Sequence, residues 1–406
     1  MNNEDTIIIG AGAAGLAAAI TLGRAGKTVV VFEKNTKAGK KILVSGNGKC
    51  NITNQKISTS RFHGQAPEFI SHVLQTYDFQ KIKTFFDSLG LALTEGKSGQ
   101  MFPMSLQAST VVELLLYEAQ HVGVKILYES AILKLEKRGE GFYLESNHGD
   151  FNTTNLIIAS GSPAAPQLGG TEDGYAFAKS LGHTITALSP ALVQLCSDAS
   201  WVKRCAGVKI PGLAKLYANG EYISEKKGDL LFTNYGISGL AILDISREAS
   251  TRLGQGEYCD LVLDLLPGFN KEQLTNMLLN RISSESHKHI ELWLYAIMNK
   301  KIAPIIIEQS KCIAKVEKEL NRKEIGKLVY AIKNLKLPLS GTKGYEGAEV
   351  TAGGVKTTEV GADTMESKIV PNLYFAGEIL DVDGDRGGFN FHFAWASGLS
   401  AGKALS

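Results

Sequence analysis

Two hydrophobic periods meet in the opening segment of the chain. Residues 6–9 (TIII) form a short β-branched run that predicts a buried strand. Residues 14–25 are strong helix formers with an apolar stripe, and the pattern stops at Gly26. Residues 28–32 (TVVVF) return to a strand pattern that ends in Glu33. Further on, residues 66–94 predict amphipathic helices, 96–105 a loop and 108–122 another helix. Residues 125–160 alternate in the manner of a β-meander, with turn signals at 138–141 and 147–150. That stretch closes on an apolar strand, 156–159, which runs into Ser160-Gly161-Ser162.

The second half changes period twice. Residues 191–267 predict strands, punctuated by Gly-containing turns at 218–221 and 254–257. Residues 270–334 predict helices, with Leu274, Met277, Leu278 and Ile282, then Ile325, Leu328, Val329 and Ile332, at helical spacing. The C-terminus then resembles the N-terminus in plan. An apolar strand, 372–376, ends in Gly377-Glu378, a polar Gly-rich turn spans 381–390, and a small-residue helix covers 391–405. The expected organisation is a discontinuous first domain, 1–190 with 338–406, a β-rich insert at 191–267 and a helical insert at 268–337.

The opening strand, turn, helix and second strand carry Gly10-x-Gly12-x-x-Gly15 and, 23 residues after Gly10, the acidic Glu33. That is the dinucleotide fingerprint in its proper setting. Gly10 permits the tight turn, Gly12 admits a pyrophosphate to the backbone, and Gly15 lets helix pack on strand. The helix start supplies unpaired N–H groups and partial positive charge. Glu33 suits a ribose diol and would repel a 2′-phosphate. Residues 6–23 carry no charge, yet their glycines and change of period mark a core unit and not a membrane span. Residues 23–28 resemble a phosphate loop but have too few residues between the glycines. The second strand–turn–helix unit predicts the other end of one long ligand, with adenine and pyrophosphate at the first unit and a flavin at the second.

Composition narrows the class. At 406 residues, 44% hydrophobic and 21% charged, the chain is an ordinary globular one, expected in the cytoplasm because its N-terminus has no signal-peptide plan. Its five cysteines and eight histidines show no metal-ligand spacing, so no metal site is expected. The net charge of +2 hides an asymmetry: residues 268–336 hold 13 Lys+Arg against 7 Glu and no Asp, hence +6, leaving about −4 elsewhere. Such a helical stretch is either a solvated face or a nucleic-acid footprint.

Several segments together resemble the YhiN/BaiN flavoproteins: Gly10–Gly15 with Glu33, KILVSGNGKCNITN (41–54), the ASGSPAAPQLGGTEDGYAFAKSLGH stretch (159–183), LFTNYGISG (231–239) and the motif region 351–390. The resemblance runs nearly end to end. It implies an α/β fold with a Rossmann-like FAD-binding domain of glutathione-reductase type, interrupted by a β-barrel-like insert and a small helical insert. It implies that Gly10, Gly12, Ala13, Ala14 and Gly15 meet the pyrophosphate, and Glu33 and Lys34 the adenosine side. Lys41, Ser45, Gly46, Gly48 and Asn51, with Ser160 and Gly161, would follow the ligand onward. Gly377 and Glu378 would approach the ribityl chain, and Asp385, Gly387, Gly388, Phe389 and Asn390 the isoalloxazine. Asn47 stands where the family commonly has glycine, Gln100 where it has arginine, and Asn234 where it has histidine.

The implied activity is reduction of a polarised C=C bond by hydride from flavin N5, which also requires a proton donor on the far carbon. Cys50, beside the loop glycines, is the candidate donor, against the commoner fate of a free cysteine as a small buried hydrophobe. His392 reads as a packing residue. With one glycine fingerprint, NAD(P)H is expected only as a transient electron donor. The family is linked to reduction of a uridine in large-subunit ribosomal RNA, and in other members to steroid enone reduction and amine oxidation. Uridine in 23S rRNA is the leading substrate, reached as an unstacked base. The alternatives are a small-molecule flavin oxidoreductase and an RNA-binding flavoprotein whose FAD is structural.

Overall fold

In a computed structural model, which describes residues 2–406, strand Asn2–Ile9 lies inside a parallel sheet. Ile7 sits opposite Leu156 on one side and Val30 on the other. Lys125–Leu127 extends the sheet beyond Val29–Phe32, and Leu373–Phe375 extends it beyond Gly149–Ile158, all in parallel. Ile7, Ile8, Val31, Leu156, Ile157 and Ile158 are fully buried. This is why those runs read as continuous apolar stretches without alternation: both faces of a parallel sheet are covered. Only the half of Gly149–Ile158 that pairs with Gly141–Ser146 is antiparallel, and Ile132–Arg138 continues that meander.

The helix following the first strand, Ala13–Arg24, packs against the last helix, Phe389–Ala404. The crossing is close because both faces are made of small residues. A Cβ on Gly398 would lie 2.3 Å from the Ala14 carbonyl oxygen, and one on Gly402 would lie 2.9 Å from that of Ala18. Backbone thus meets backbone, with the start of the first helix set against the second half of the last one.

The chain divides into two compact units, Met1–Ser189 with Glu349–Ser406, and Pro190–Ala348. In the second, a seven-stranded sheet runs in the order Leu335–Pro338, Cys259–Asp264, Lys209–Ala218, Glu221–Phe232, Gly236–Ser238, Leu195–Cys196, Gly341–Thr342. Its two ends are successive segments of chain. Helices Lys271–Leu279, Ala303–Ser310 and Arg322–Lys333 share one hydrophobic cluster with this sheet, so the β-rich and helical stretches form a single body.

Three expectations are corrected. The boundary near Pro338 falls inside the second unit, because Leu335–Pro338 pairs with Cys259–Asp264 and Gly341–Thr342 with Leu195–Cys196. The strand-rich stretch also contains a helix, Leu240–Gly254, whose Ile242, Ile245 and Ala249 are buried. The loop expected at 96–105 includes strand Gln100–Pro103, paired with both Leu93–Glu95 and Thr53–Asn54.

Candidate functional site

Two of the three fingerprint glycines are dictated by the protein itself. Gly10 has φ +106, and a Cβ there would lie 2.5 Å from the Ala159 carbonyl oxygen. A Cβ on Gly15 would lie 1.9 Å from the Gly10 carbonyl oxygen. Gly12 differs: its φ is −84, and a Cβ there meets nothing within 4 Å. No neighbouring protein atom requires glycine at that position, whereas a ligand lying against the backbone would. The first-turn amides of Ala13, Ala14 and Gly15 have no acceptor within the helix. No side chain caps that helix start and no acid lies in its first turn. The cradle therefore suits an anion such as a pyrophosphate.

Glu33 closes the second strand, 7% exposed. One carboxylate oxygen accepts the Ala11 N–H at 3.0 Å, and the other accepts the Asn35 N–H at 2.8 Å and the Asn35 Nδ2 at 2.6 Å. A carboxylate offers about four lone-pair sites, so a fixed Glu33 keeps capacity for a ribose hydroxyl. Lys34 extends from the next position, its Nζ 3.6 Å from Asp173.

Two expected contact residues carry buried polar atoms with no hydrogen-bond partner, the Ser160 hydroxyl and the Asn51 Oδ1. Each such atom costs about 1–3 kcal/mol unless something pairs with it. A polar ligand running from Ser160 and Gly161 toward Asn51 would do so. Together with the open face of Gly12, these atoms make the residues present a fit for FAD.

The segment expected as a Gly-rich loop begins as a helix, Lys40–Gly48, broken at Ser45, Gly46 and Asn47. Asn47 has φ +57, so the position that is commonly glycine in the resembled family demands left-handed backbone, which asparagine tolerates. Lys41, from the helical turn, reaches Glu378 with its Nζ 2.7 Å from a carboxylate oxygen. The other Glu378 oxygen accepts the Ser162 hydroxyl at 2.7 Å and the Thr351 N–H at 3.1 Å. Neither Ser162 nor Thr351 was among the expected contact residues. Gly377, φ +80, packs against Ala14, with an added Cβ 2.9 Å from the Ala14 Cβ.

The turn before the last helix is braced from several sides. Asp383–Gly384 pairs antiparallel with Phe62–His63. The Asn390 side chain accepts the Gly384 N–H at 2.7 Å and donates to the Gly384 carbonyl at 2.8 Å. Gly387 offers its carbonyl to Asn54 Nδ2 at 2.9 Å. Gly388, φ +99, caps the helix so close to strand Thr53–Asn54 that a Cβ would lie 2.6 Å from the Thr53 carbonyl oxygen. No side chain caps this helix start either, and its first turn holds no acid. The amides of Phe389, Asn390 and Phe391 are thus available to a carbonyl or partial negative charge. Gln100 Nε2 lies 3.9 Å from where a Gly387 Cβ would be, beside this helix start.

Side chains at three expected positions are already engaged by other protein groups. Phe389 is 1% exposed, its ring edge-on to Phe62. Asn390 braces Gly384, and the Asp385 carboxylate binds Arg61 and His63. A flavin at this helix start would meet residues 389 and 390 through their backbone. Cys50 is a correction of a different kind. It is fully buried, and burial pushes its thiol up to about 12 despite a hydrogen bond with Ser45. With no exposed surface, the thiol does not reach a substrate, so the structure gives Cys50 no donor role. His392 is also sealed. Its Nδ1 meets the Thr53 hydroxyl at 2.7 Å and its Nε2 the Tyr77 carbonyl at 2.9 Å, while burial depresses its pKa to about 4.

A Rossmann-type FAD-binding fold with two uncapped, glycine-lined helix starts belongs to the FAD-dependent oxidoreductases. Residues 4–404 match the family described as HI0933-like protein Rossmann domain. The chain belongs to that family, as its resemblance to the YhiN/BaiN flavoproteins implied. It is 36% identical to a 3-dehydro-bile acid delta(4,6)-reductase of Clostridium scindens over 98% of each chain. It is 33% identical to a ribosomal RNA dihydrouridine synthase of Haemophilus influenzae, covering 99% of this chain and 98% of that protein. The Escherichia coli protein of the same description is 32% identical, covering 100% of this chain and 98% of its own length. No helix among the described residues is long and apolar enough to cross a membrane.

Proposed function

We propose that this FAD-dependent enzyme saturates a carbon–carbon double bond conjugated to a carbonyl, and that its leading substrate is a uridine of 23S ribosomal RNA. The observation that carries the reading is chemical agreement between relatives matched along nearly their whole length. One is named for reducing a steroid-type unsaturation and the others for making dihydrouridine. Uracil's C5=C6 bond is conjugated to its C4 carbonyl, so both named activities are the same kind of reduction. Bound FAD supplies the hydride, with NAD(P)H as its transient source.

The charge distribution supports RNA. Lys271, Lys300, Lys311, Lys315, Arg322 and Lys323 are exposed, as are Glu272, Glu285, Glu291, Glu308 and Glu319, and residues 268–336 keep the net charge of +6. A stretch with net positive charge favours a polyanion and makes binding salt-dependent. The test is dihydrouridine mapping of rRNA from cells with and without this protein. Loss of one dihydrouridine supports the reading; an unchanged map removes rRNA as the substrate. The higher identity to the bile-acid reductase favours a second reading, reduction of a small-molecule enone, which consumption of NAD(P)H with a steroid 4-en-3-one would support.

A further inference from the structure

Cys50 and His392 are sealed, so neither is a source of the proton that the proposed reduction needs. The structure points to one in an unexpected place. Arg61 and His63 lie in a stretch that no motif marks, and Asp385 lies in the turn leading to the last helix. Pairing of His63 with Asp383, and of Phe62 with Gly384, brings the two stretches side by side. The Asp385 N–H then donates to the Arg61 carbonyl at 2.8 Å. One Asp385 carboxylate oxygen receives Arg61 Nε at 2.7 Å, and the other lies 2.9 Å from His63 Nε2. Burial pushes the Asp385 carboxyl up, but hydrogen bonds from His63 and Arg61 outweigh it and hold the group below the usual range. An ionised Asp385 is an acceptor only, so His63 donates its Nε2–H to it whether the ring is neutral or protonated, and the proton that can be given up is the one on Nδ1.

This assembly is fastened to the second helix start. The Arg61 guanidinium carbon sits 4.5 Å from the centroid of the Phe389 ring, the first residue of the last helix. Asn390 clamps Gly384, which precedes Asp385. His63 itself is 36% exposed along its side chain, unlike His183 and His392, whose rings are sealed.

We propose that His63 is the proton donor of the reduction, with Asp385 and Arg61 as positioning residues. The inference rests on the double-bond reductase reading above. With FAD bound and reduced by a nicotinamide donor, the cofactor would supply hydride to the carbon β to the carbonyl. The π electrons move to the α carbon, which takes the Nδ1 proton of the doubly protonated His63 ring while Nε2–H stays on Asp385. The ring is left neutral and regains a proton from water. A proton delivered by a fixed side chain arrives on one face of the α carbon; a proton from bulk water does not.

The test uses the full FAD-loaded chain in D2O with two probes, a 23S rRNA transcript and a steroid 4-en-3-one. Wild type is expected to place solvent deuterium on a single face of the α carbon. H63Q is expected to lose 10²- to 10⁴-fold in kcat, to keep KM within about threefold, and to scramble the deuterium. D385N, which keeps the ring but loosens it, is expected to lose about tenfold in kcat with partial scrambling. Nitrogen-15 NMR of the FAD-free protein gives an independent reading: a single Nε2-protonated His63 tautomer in wild type, and a mixture in D385N. Should H63Q fail to fold, D385N alone decides by the same deuterium and tautomer readings. Single-face deuteration with near-wild-type kcat in the folded variants would overturn the inference while leaving the reductase reading intact. A wild type inert toward both probes would overturn the reductase reading and this inference with it.

Discussion

Lys41 Nζ and a Glu378 carboxylate oxygen lie 2.7 Å apart although 337 positions separate the two residues in the chain. The contact joins the segment after the first Rossmann unit to the strand end of the second. Ser162 and Thr351 donate to the other carboxylate oxygen, so one side chain gathers four stretches of chain. Glu378→Ala leaves three donors without their acceptor and is expected to cost about 2 kcal/mol, together with flavin retention on gel filtration. Lys41→Met removes a partly exposed partner and is expected to cost less than about 1 kcal/mol. Urea denaturation of both variants measures the difference, and equal losses would contradict the arrangement.

The fingerprint glycines separate folding from binding. Gly15→Ala drives a Cβ into the Gly10 carbonyl and is expected to lower the melting temperature sharply. Gly12→Ala meets open space, so the FAD-free protein is expected to melt as wild type does while FAD affinity falls at least tenfold. Melting curves and flavin absorbance of both proteins decide the matter. A Gly12→Ala protein that retains FAD would mean the cofactor does not approach this turn.

Cys50 is expected to be chemically silent. Its raised thiol keeps the neutral form in the folded protein, so native protein at pH 8 resists iodoacetamide at this site until unfolded. The sign for stability follows: the contribution is complete below the ordinary thiol pKa near 9 and is lost as pH rises toward 12. Cys50→Ala is expected to keep kcat within about threefold while losing about 1–2 kcal/mol of stability from lost packing. Peptide mapping after alkylation and turnover of the variant check both statements.

His392 works in the opposite direction along the pH scale. Folded, it titrates near 4, whereas the unfolded chain takes up the proton near 6.5. Its stabilising share is therefore present above about 6.5 and is lost as pH falls toward 4. Urea midpoints at pH 7 and pH 5 are expected to fall further for wild type than for His392→Gln. That variant can still accept from Thr53 and donate to the Tyr77 carbonyl. An identical pH response in the two proteins would show that the buried ring does not carry the effect.

Much of the site could be read locally. The opening strand, helix and second strand, with Gly10, Gly12, Gly15 and Glu33, are an adjacent run whose chemistry depends on near neighbours. The same holds for the Gly387–Gly388 helix start. The 15-residue helix Leu240–Gly254 lies between strands, and its helical spacing of Ala241, Ile242, Ile245 and Ala249 is masked by the strand patterns and glycine turns on either side. Helix Lys40–Gly48 was hidden by its own glycines, which mark a break at Ser45–Asn47 but not the helical turn before it.

The sequence by itself determined that two glycine-lined strand–turn–helix units exist and that one acid closes the second strand. These follow from backbone freedom and hydrophobic period, which act over a few residues. Only the tertiary structure decided which side chains are spent inside the protein. It sealed Cys50, turned Phe389 inward, committed Asn390 to Gly384, and set His63 and Arg61 on Asp385. The Asn390–Gly384 clamp spans six residues, but the others depend on burial or on partners hundreds of residues away, as with His63 and Arg61 on Asp385, and no local spacing encodes them.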